Sequence, residues 1–247
     1  MPENTLEAFF EGISAGADRL EMDVHGTADG HVVVFHDEDL DRTTDATGPL
    51  RLRTLAELKT LDAGYHFTDA EGHTPFRGRG LRISTLDEVL AALPRVPLNI
   101  EVKQDQPAID AAVLEILDRH RARERVLLAA FEDRIVKRLR LLAPDMVTSL
   151  SADEVAGFVA ACWSGSMEGY TPPGQALQVP PDHEGIEIVT PAFVAAAHAM
   201  DMEVHVWTIN EEAEMDRLLD FGIDGLMSDD PALARRVFER RGLRPSS

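Results

Sequence analysis

Apolar positions along the chain follow two alternating patterns. Short runs near residues 20–24, 97–103, 126–131 and 203–209 are dense in aliphatic and β-branched residues, as in strands buried within a sheet. Between them, apolar residues recur three and four apart, as in Ile109, Val113, Ile116 and Leu117, the period of a helix with one buried face. The spacing predicts helices over 6–15, 54–61, 86–93, 108–121, 134–142, 153–161, 191–200, 211–221 and 232–241. It predicts core strands near residues 20, 99, 128, 148, 177, 206 and 226. Strand followed by helix, repeated to the end, implies parallel strands joined by helical crossovers. The expected fold class is α/β, a TIM (β/α)8-type barrel in one domain over 1–247. Seven strands are one fewer than a closed barrel needs, so the first strand is expected to be absent from this chain and to belong before Pro2. An open doubly wound sheet is the alternative, disfavoured because no Gly-rich phosphate loop follows an early strand.

Two stretches break the pattern. Residues 65–80 are irregular and rich in Gly, His and Phe, and read as an insertion that is either a lid or a surface feature. Residues 164–175 read as a Gly/Pro-rich loop, and the tail 243–247 is expected to fray.

Charge narrows the partners. The 247 residues carry 24 basic against 44 acidic side chains, a net charge of −20, which disfavours nucleic acid and stable attachment to anionic membranes. A small anionic substrate is compatible only where a metal or local cations reverse the field. Cys162 is the one cysteine, so no intrachain disulfide forms and a buried small hydrophobe is expected there. No apolar run approaches transmembrane length and no secretory leader opens the sequence, so a cytoplasmic location is expected.

The candidate chemistry starts in the strand near residue 20. Glu21 and Asp23 share one face of it, and Met22 and Val24 the other. Two carboxylates on one face repel, and a divalent cation relieves that repulsion. A turn at residues 28–31 leads into a returning run that ends at His36, an acid–base side chain near neutral pH. Glu101 and Lys103 share a face at the C-terminal end of the next core strand, where barrels place their active sites. Three carboxylates from neighbouring strands make an oxygen cage for Mg2+ or Ca2+. Lys103 reads as a phosphate contact or as a partner of Glu101 or Asp23, and both are compatible. Trp207 reads as the wall of a substrate pocket or as a core aromatic. His25 shares the face of Glu21 and Asp23 but is expected in the loop after the strand. Residues 228–231 are expected to cap the last helix.

The stretches PENTLEAF, GADRLEMDVHGTADGHVVVFHDEDLDRTT, LRTLAELKTLDAG, LNIEVK, HVWTIN and GIDGLMSDDP together resemble the glycerophosphodiester phosphodiesterase family, in family order and over nearly the whole chain. The resemblance implies a TIM barrel and a divalent metal held by Glu21, Asp23 and Glu101. It implies that His36 is one of two catalytic histidines, that Lys103 contacts phosphate, and that 65–80 is the family's insertion. The implied reaction is hydrolysis of a small-molecule glycerophosphodiester to glycerol 3-phosphate and an alcohol. One departure is expected to matter. The family's His-Arg-Gly motif, which ends the first strand just upstream of Pro-Glu-Asn-Thr, is absent from the sequence. Two other functions therefore stay open: a catalytically impaired barrel that only binds phosphodiesters, and a lysophospholipase D-type phosphodiesterase, which would need an apolar groove.

Overall fold

The computed structural model describes residues 1–165, 167 and 169–243, so most of the tail expected to fray, and two positions of the loop at 164–175, lie outside the described residues. The chain divides into two compact units, Met1–Ser14 with Asp18–Met146, and Ala15–Ala17 with Val147–Ser247.

The first unit contains α1 (Leu6–Ser14), β1 (Leu20–Gly26), β2 (Val32–Val34), α2 (Leu55–Leu58), α3 (Leu86–Ala92), β3 (Leu98–Val102), α4 (Asp110–Arg119), β4 (Val126–Ala129) and α5 (Asp133–Leu142). Its strands lie in the order β2-β1-β3-β4. β1, β3 and β4 are parallel, with Asp23 paired to Glu101 and Glu101 to Ala129. β2 folds back antiparallel on β1 and pairs Val34 with Val24. Met22, Val24, Ile100 and Val102 are fully buried, which fixes the faces of β1 and β3, because a slip by one residue would turn those side chains out. The helix starts are set by side-chain caps. Of Asn4 and Thr5, either of which the sequence offers as a cap, Thr5 caps α1 by accepting from the Ala8 N–H at 3.2 Å. Thr54 and Thr85 form capping boxes with Glu57 and Glu88, as the Thr-x-x-Glu spacing dictates.

Between β2 and α3 the chain builds a second small core from Val33, Phe35, Leu40, Leu50, Leu58 and Ile83. The irregular stretch 65–80 is tied to it at its base. The buried Asp62 carboxylate accepts from the Gly64 N–H at 3.0 Å and from the Gly78 N–H at 2.6 Å. Phe67 meets Phe76 edge-on, and Arg77 lies over the Tyr65 ring. A Cβ at Gly64 would lie 2.8 Å from Phe76 Cβ, so only glycine fits there.

The second unit contains β5 (Val147–Thr148), α6 (Ala152–Ser164), β6 (Ala176–Val179), β7 (Asp182–His183), β8 (Ile186–Glu187), α7 (Pro191–His198), β9 (Glu203–Val206), α8 (Glu212–Asp220), β10 (Gly225–Leu226) and α9 (Pro231–Arg240). β6, β9 and β10 form a parallel sheet in the order β10-β9-β6, and a bridge from Ser149 to Ala176 joins the segment after β5 to β6. Phe158, Leu177, Val204, Met215 and Leu218 are fully buried in its core. All seven expected core strands are present. α6 runs further than the expected 153–161, because Ser151 caps its start and Gly165, at φ 67°, stops it. The β7–β8 hairpin was not expected; its turn uses positive φ at Glu184 and Gly185. Asp230 caps α9 with Pro231 in the first turn, as expected. No helix among the described residues is long and apolar enough to cross a membrane.

Candidate active site

Adjacent parallel strands bring three carboxylates together. Glu21 and Asp23 lie two apart on β1, and Asp23 stands beside Glu101 of β3. One oxygen from each lies within 4.8 Å of the others. Lys103 follows β3 directly, and its N–H extends the ladder to the Val24 carbonyl at 3.2 Å. That places its ammonium 3.1 Å from Asp23 Oδ1 and 2.9 Å from Glu101 Oε2. Lys103 is thus the partner of both Asp23 and Glu101.

The electrostatics of the cluster fit a divalent cation. With all three carboxylates ionised, the one ammonium of Lys103 leaves an excess of two negative charges. All three donors are hard oxygens, the ligands that Mg2+ and Ca2+ take. Burial of its carboxyl group, then the like charges of Asp23 and Glu101, hold Glu21 well above the usual carboxylate range. The Glu21 side chain keeps an exposed flank. Asp23 is only 4% exposed. Burial works against the Lys103 ammonium, but Asp23 and Glu101 together outweigh it and hold its pKa above the ordinary value. A second group, Asp69, Glu71 and His73, also gathers its ligand atoms. There Asp69 already accepts from the Glu71 and His73 N–H groups and from the His73 ring, so that group is a closed turn.

His36 follows the returning strand. The Phe35 N–H donates to the Asp23 carbonyl at 2.9 Å, which sets His36 one residue from the carboxylate strand. His36 Nδ1 lies 2.5 Å from Asp37 Oδ1. Arg42 donates to both Asp37 oxygens, from Nε at 2.6 Å and from a terminal nitrogen at 3.0 Å. The Arg42 hydrogen bonds first, then that from His36, hold the Asp37 carboxyl down at about 2. An ionised Asp37 only accepts, so His36 Nδ1 carries the proton.

His25 corrects an expectation. It lies within β1, not in the loop after it, and is 3% exposed. Its Nε2–H donates to the His36 carbonyl at 3.0 Å, and burial holds its pKa below the ordinary value. It therefore braces the His36 backbone as a neutral ring. Beside Lys103 and His25 opens a cleft of about 390 Å³, with Glu38, Arg51, Glu132 and Arg134 on its walls.

Trp207 belongs to the second unit. It follows β9, its N–H donates to the Val179 carbonyl at 3.2 Å, and it is 40% exposed. That exposure removes the core-aromatic alternative. Sequence reasoning missed the parts played by Glu3, Asn4 and Arg42. Glu3 and Arg42 form a two-point ion pair at 2.6 and 2.7 Å. Asn4 hydrogen-bonds Asp23. These contacts span 39 and 19 residues of chain, beyond the reach of any local period.

Comparison with known proteins identifies the family. The model of the glycerophosphoryl diester phosphodiesterase family matches residues 1–233. A glycerophosphodiester phosphodiesterase of Caldanaerobacter subterraneus subsp. tengcongensis is 31% identical, over 98% of this chain and 94% of that protein. Among solved structures, a putative glycerophosphoryl diester phosphodiesterase from Silicibacter pomeroyi is 28% identical with a TM-score of 0.80, over 98% of this chain and 90% of that one. An Oleispira antarctica phosphodiesterase, solved with the product sn-glycerol-3-phosphate, is 27% identical with a TM-score of 0.78, over 96% and 92% of the two chains. The fold class is the expected α/β one, of TIM (β/α)8-barrel type.

Proposed function

The chain belongs to the glycerophosphoryl diester phosphodiesterase family, and from that premise we propose that it hydrolyses glycerophosphodiesters to glycerol 3-phosphate and an alcohol, with Mg2+ or Ca2+ held by Glu21, Asp23 and Glu101. The observation that carries this reading is the register of β1 on β3, which sets Asp23 beside Glu101 and brings Lys103 onto both. When bound, the cation supplies positive charge to the phosphate oxygens. Lys103 keeps its proton and, once relieved of neutralising the carboxylates, turns its ammonium to a phosphate oxygen. His36 exchanges protons through Nε2, because Nδ1–H is committed to Asp37. It acts either as imidazolium, protonating the leaving alcohol oxygen while the P–O bond breaks, or as neutral imidazole, taking the proton of the attacking hydroxyl, and the complementary proton passes to or from solvent water. That hydroxyl is water or the glycerol 2-hydroxyl, the latter giving a cyclic phosphate first.

The cleft beside Lys103 favours a polar substrate over a lysolipid. Its walls carry Glu38, Arg51, Glu132 and Arg134, which an acyl chain would desolvate without compensation. The test offers glycerophosphocholine, glycerophosphoethanolamine and lysophosphatidylcholine in competition, with products resolved by chromatography. Glycerol 3-phosphate from the first two is the expected product. Turnover confined to the lysolipid, or binding of all three without turnover, would overturn the reading in favour of one of the two rival functions.

A further inference from the structure

We propose that the adjacent residues Glu3 and Asn4 are positioning residues serving the two halves of the site separately: Asn4 sets the carboxylate of Asp23, and Glu3, through Arg42 and Asp37, sets the imidazole of His36. The proposal rests on reading Asp23 as a metal ligand and His36 as the acid–base group.

One Asn4 amide holds both the backbone and the side chain of Asp23. Its Nδ2–H donates to Asp23 Oδ2 at 3.0 Å, and its Oδ1 accepts the Asp23 N–H at 3.3 Å. This clamp fixes the rotation of the carboxylate. Oδ2 is held by a neutral donor, and Oδ1 is left toward Lys103 and the other acids. A neutral amide orients the carboxylate without cancelling its charge, as a partner behind a metal ligand must. The backbone is shaped for the task. Asn4 has φ 54°, a left-handed conformation that costs most side chains energy and that asparagine tolerates better than most. Its neighbours are fixed posts: Pro2 is buried, and Thr5, 1% exposed, donates from Oγ1 to the Pro2 carbonyl at 2.8 Å.

Glu3 leaves the same turn toward the other half. Both its oxygens take the Arg42 fork, at 2.6 and 2.7 Å. Arg42 turns its remaining edge to both oxygens of Asp37, and Asp37 receives His36 Nδ1. Glu3 and Arg42 are about half exposed, so the pair adds little to stability. What it adds is geometry: an Arg42 gripped on one edge cannot swing away from Asp37. Glu3, Asn4, His36 and Thr43 all line one small cavity of about 10 Å³, so both halves meet at this turn.

The test is a crossed comparison of Asn4→Gly and Glu3→Gln in the full chain. Glycine keeps the positive φ and removes only the amide, so the fold is retained. Metal affinity is read by calorimetry with Mg2+ and with Ca2+, His36 Nδ1–H by NMR of 15N-histidine-labelled protein, and kcat at saturating metal. Asn4→Gly is expected to weaken metal binding by about 10–100-fold and to leave the His36 Nδ1–H signal in place. Glu3→Gln, which removes only the weakest of the like charges acting on Glu21, is expected to change metal affinity by less than about twofold, to lose or broaden that signal, and to lower kcat. Unchanged metal affinity in Asn4→Gly, or both variants shifting both readouts alike, would overturn the proposal. Glu21→Gln separates the two levels. If it too binds metal like the parent, the ligand assignment falls and Asn4's role with it. If it abolishes binding while Asn4→Gly does not alter it, the positioning role alone is overturned.

Discussion

The Lys103 ammonium lies 3.1 Å from the Asp23 carboxylate, across the β1–β3 strand pair. In the metal-free protein it is the counter-charge for a cluster that is otherwise wholly acidic. Lys103→Met is expected to lower the metal-free thermal midpoint, by about 2–4 °C for each kcal/mol lost in a chain of this size. Added Ca2+ should restore most of it. KM for a glycerophosphodiester should rise with the phosphate contact gone. A midpoint insensitive to this substitution would show that the pair is not the counter-charge described.

Glu21 makes metal stabilisation depend on pH. Its folded pKa lies above the ordinary 4.5. Below 4.5 the group is protonated in both the folded and unfolded chains, and its favourable contribution is fully present. As pH rises through the folded value, a crowded carboxylate must ionise and that contribution is lost. A bound cation reverses this loss. The metal-induced rise in thermal midpoint is therefore expected to be small near pH 4.5 and to grow toward pH 7.5, and Glu21→Gln should flatten that growth. A metal effect independent of pH in the parent would contradict the account.

Asp37 acts in the opposite direction. Its pKa is depressed from 3.8 to about 2, so it contributes stability above 3.8 that is lost as pH falls through about 2. Asp37→Asn is expected to lose less stability than the parent between pH 4 and pH 2. It should also lower kcat, by between about 10- and 10⁴-fold if it orients the acid–base imidazole as carboxylates do elsewhere. Equal acid sensitivity in both proteins would remove the ionised Asp37 from the description.

His36→Ala is expected to lower turnover by roughly 10²–10⁴-fold with metal affinity retained. A collapse of metal affinity in this variant, measured by calorimetry, would make His36 a ligand and leave the acid–base role unfilled.

What was legible in the sequence follows from the range of the interactions. Core strands were readable where a continuous apolar run such as Val126–Ala129 fits only a buried sheet, or where apolar residues alternate, as in Leu98–Val102. The acidic trio was readable because a period of two puts Glu21 and Asp23 on one face, and parallel neighbours align Asp23 with Glu101. The burial of His25 was not readable, since it depends on the return of His36 across 11 residues. Asn4 and Arg42 were hidden for the same reason, and the Asn4 clamp also depends on a positive φ that asparagine permits without announcing. The β7–β8 hairpin turns on Glu184-Gly185, a weaker signal than the Asn-Gly or Asp-Gly of common tight turns.

Hydrolysis is expected to depend on a cation held by Glu21, Asp23 and Glu101. The most direct measurement is release of glycerol 3-phosphate from glycerophosphocholine by exhaustively chelated protein, titrated with Mg2+ and separately with Ca2+, for the parent and for Asp23→Asn. Expected are no release from the chelated parent, saturable recovery with at least one of the two ions, and no recovery in Asp23→Asn at the same concentrations. Full release by the chelated parent, or equal recovery in Asp23→Asn, would contradict that dependence.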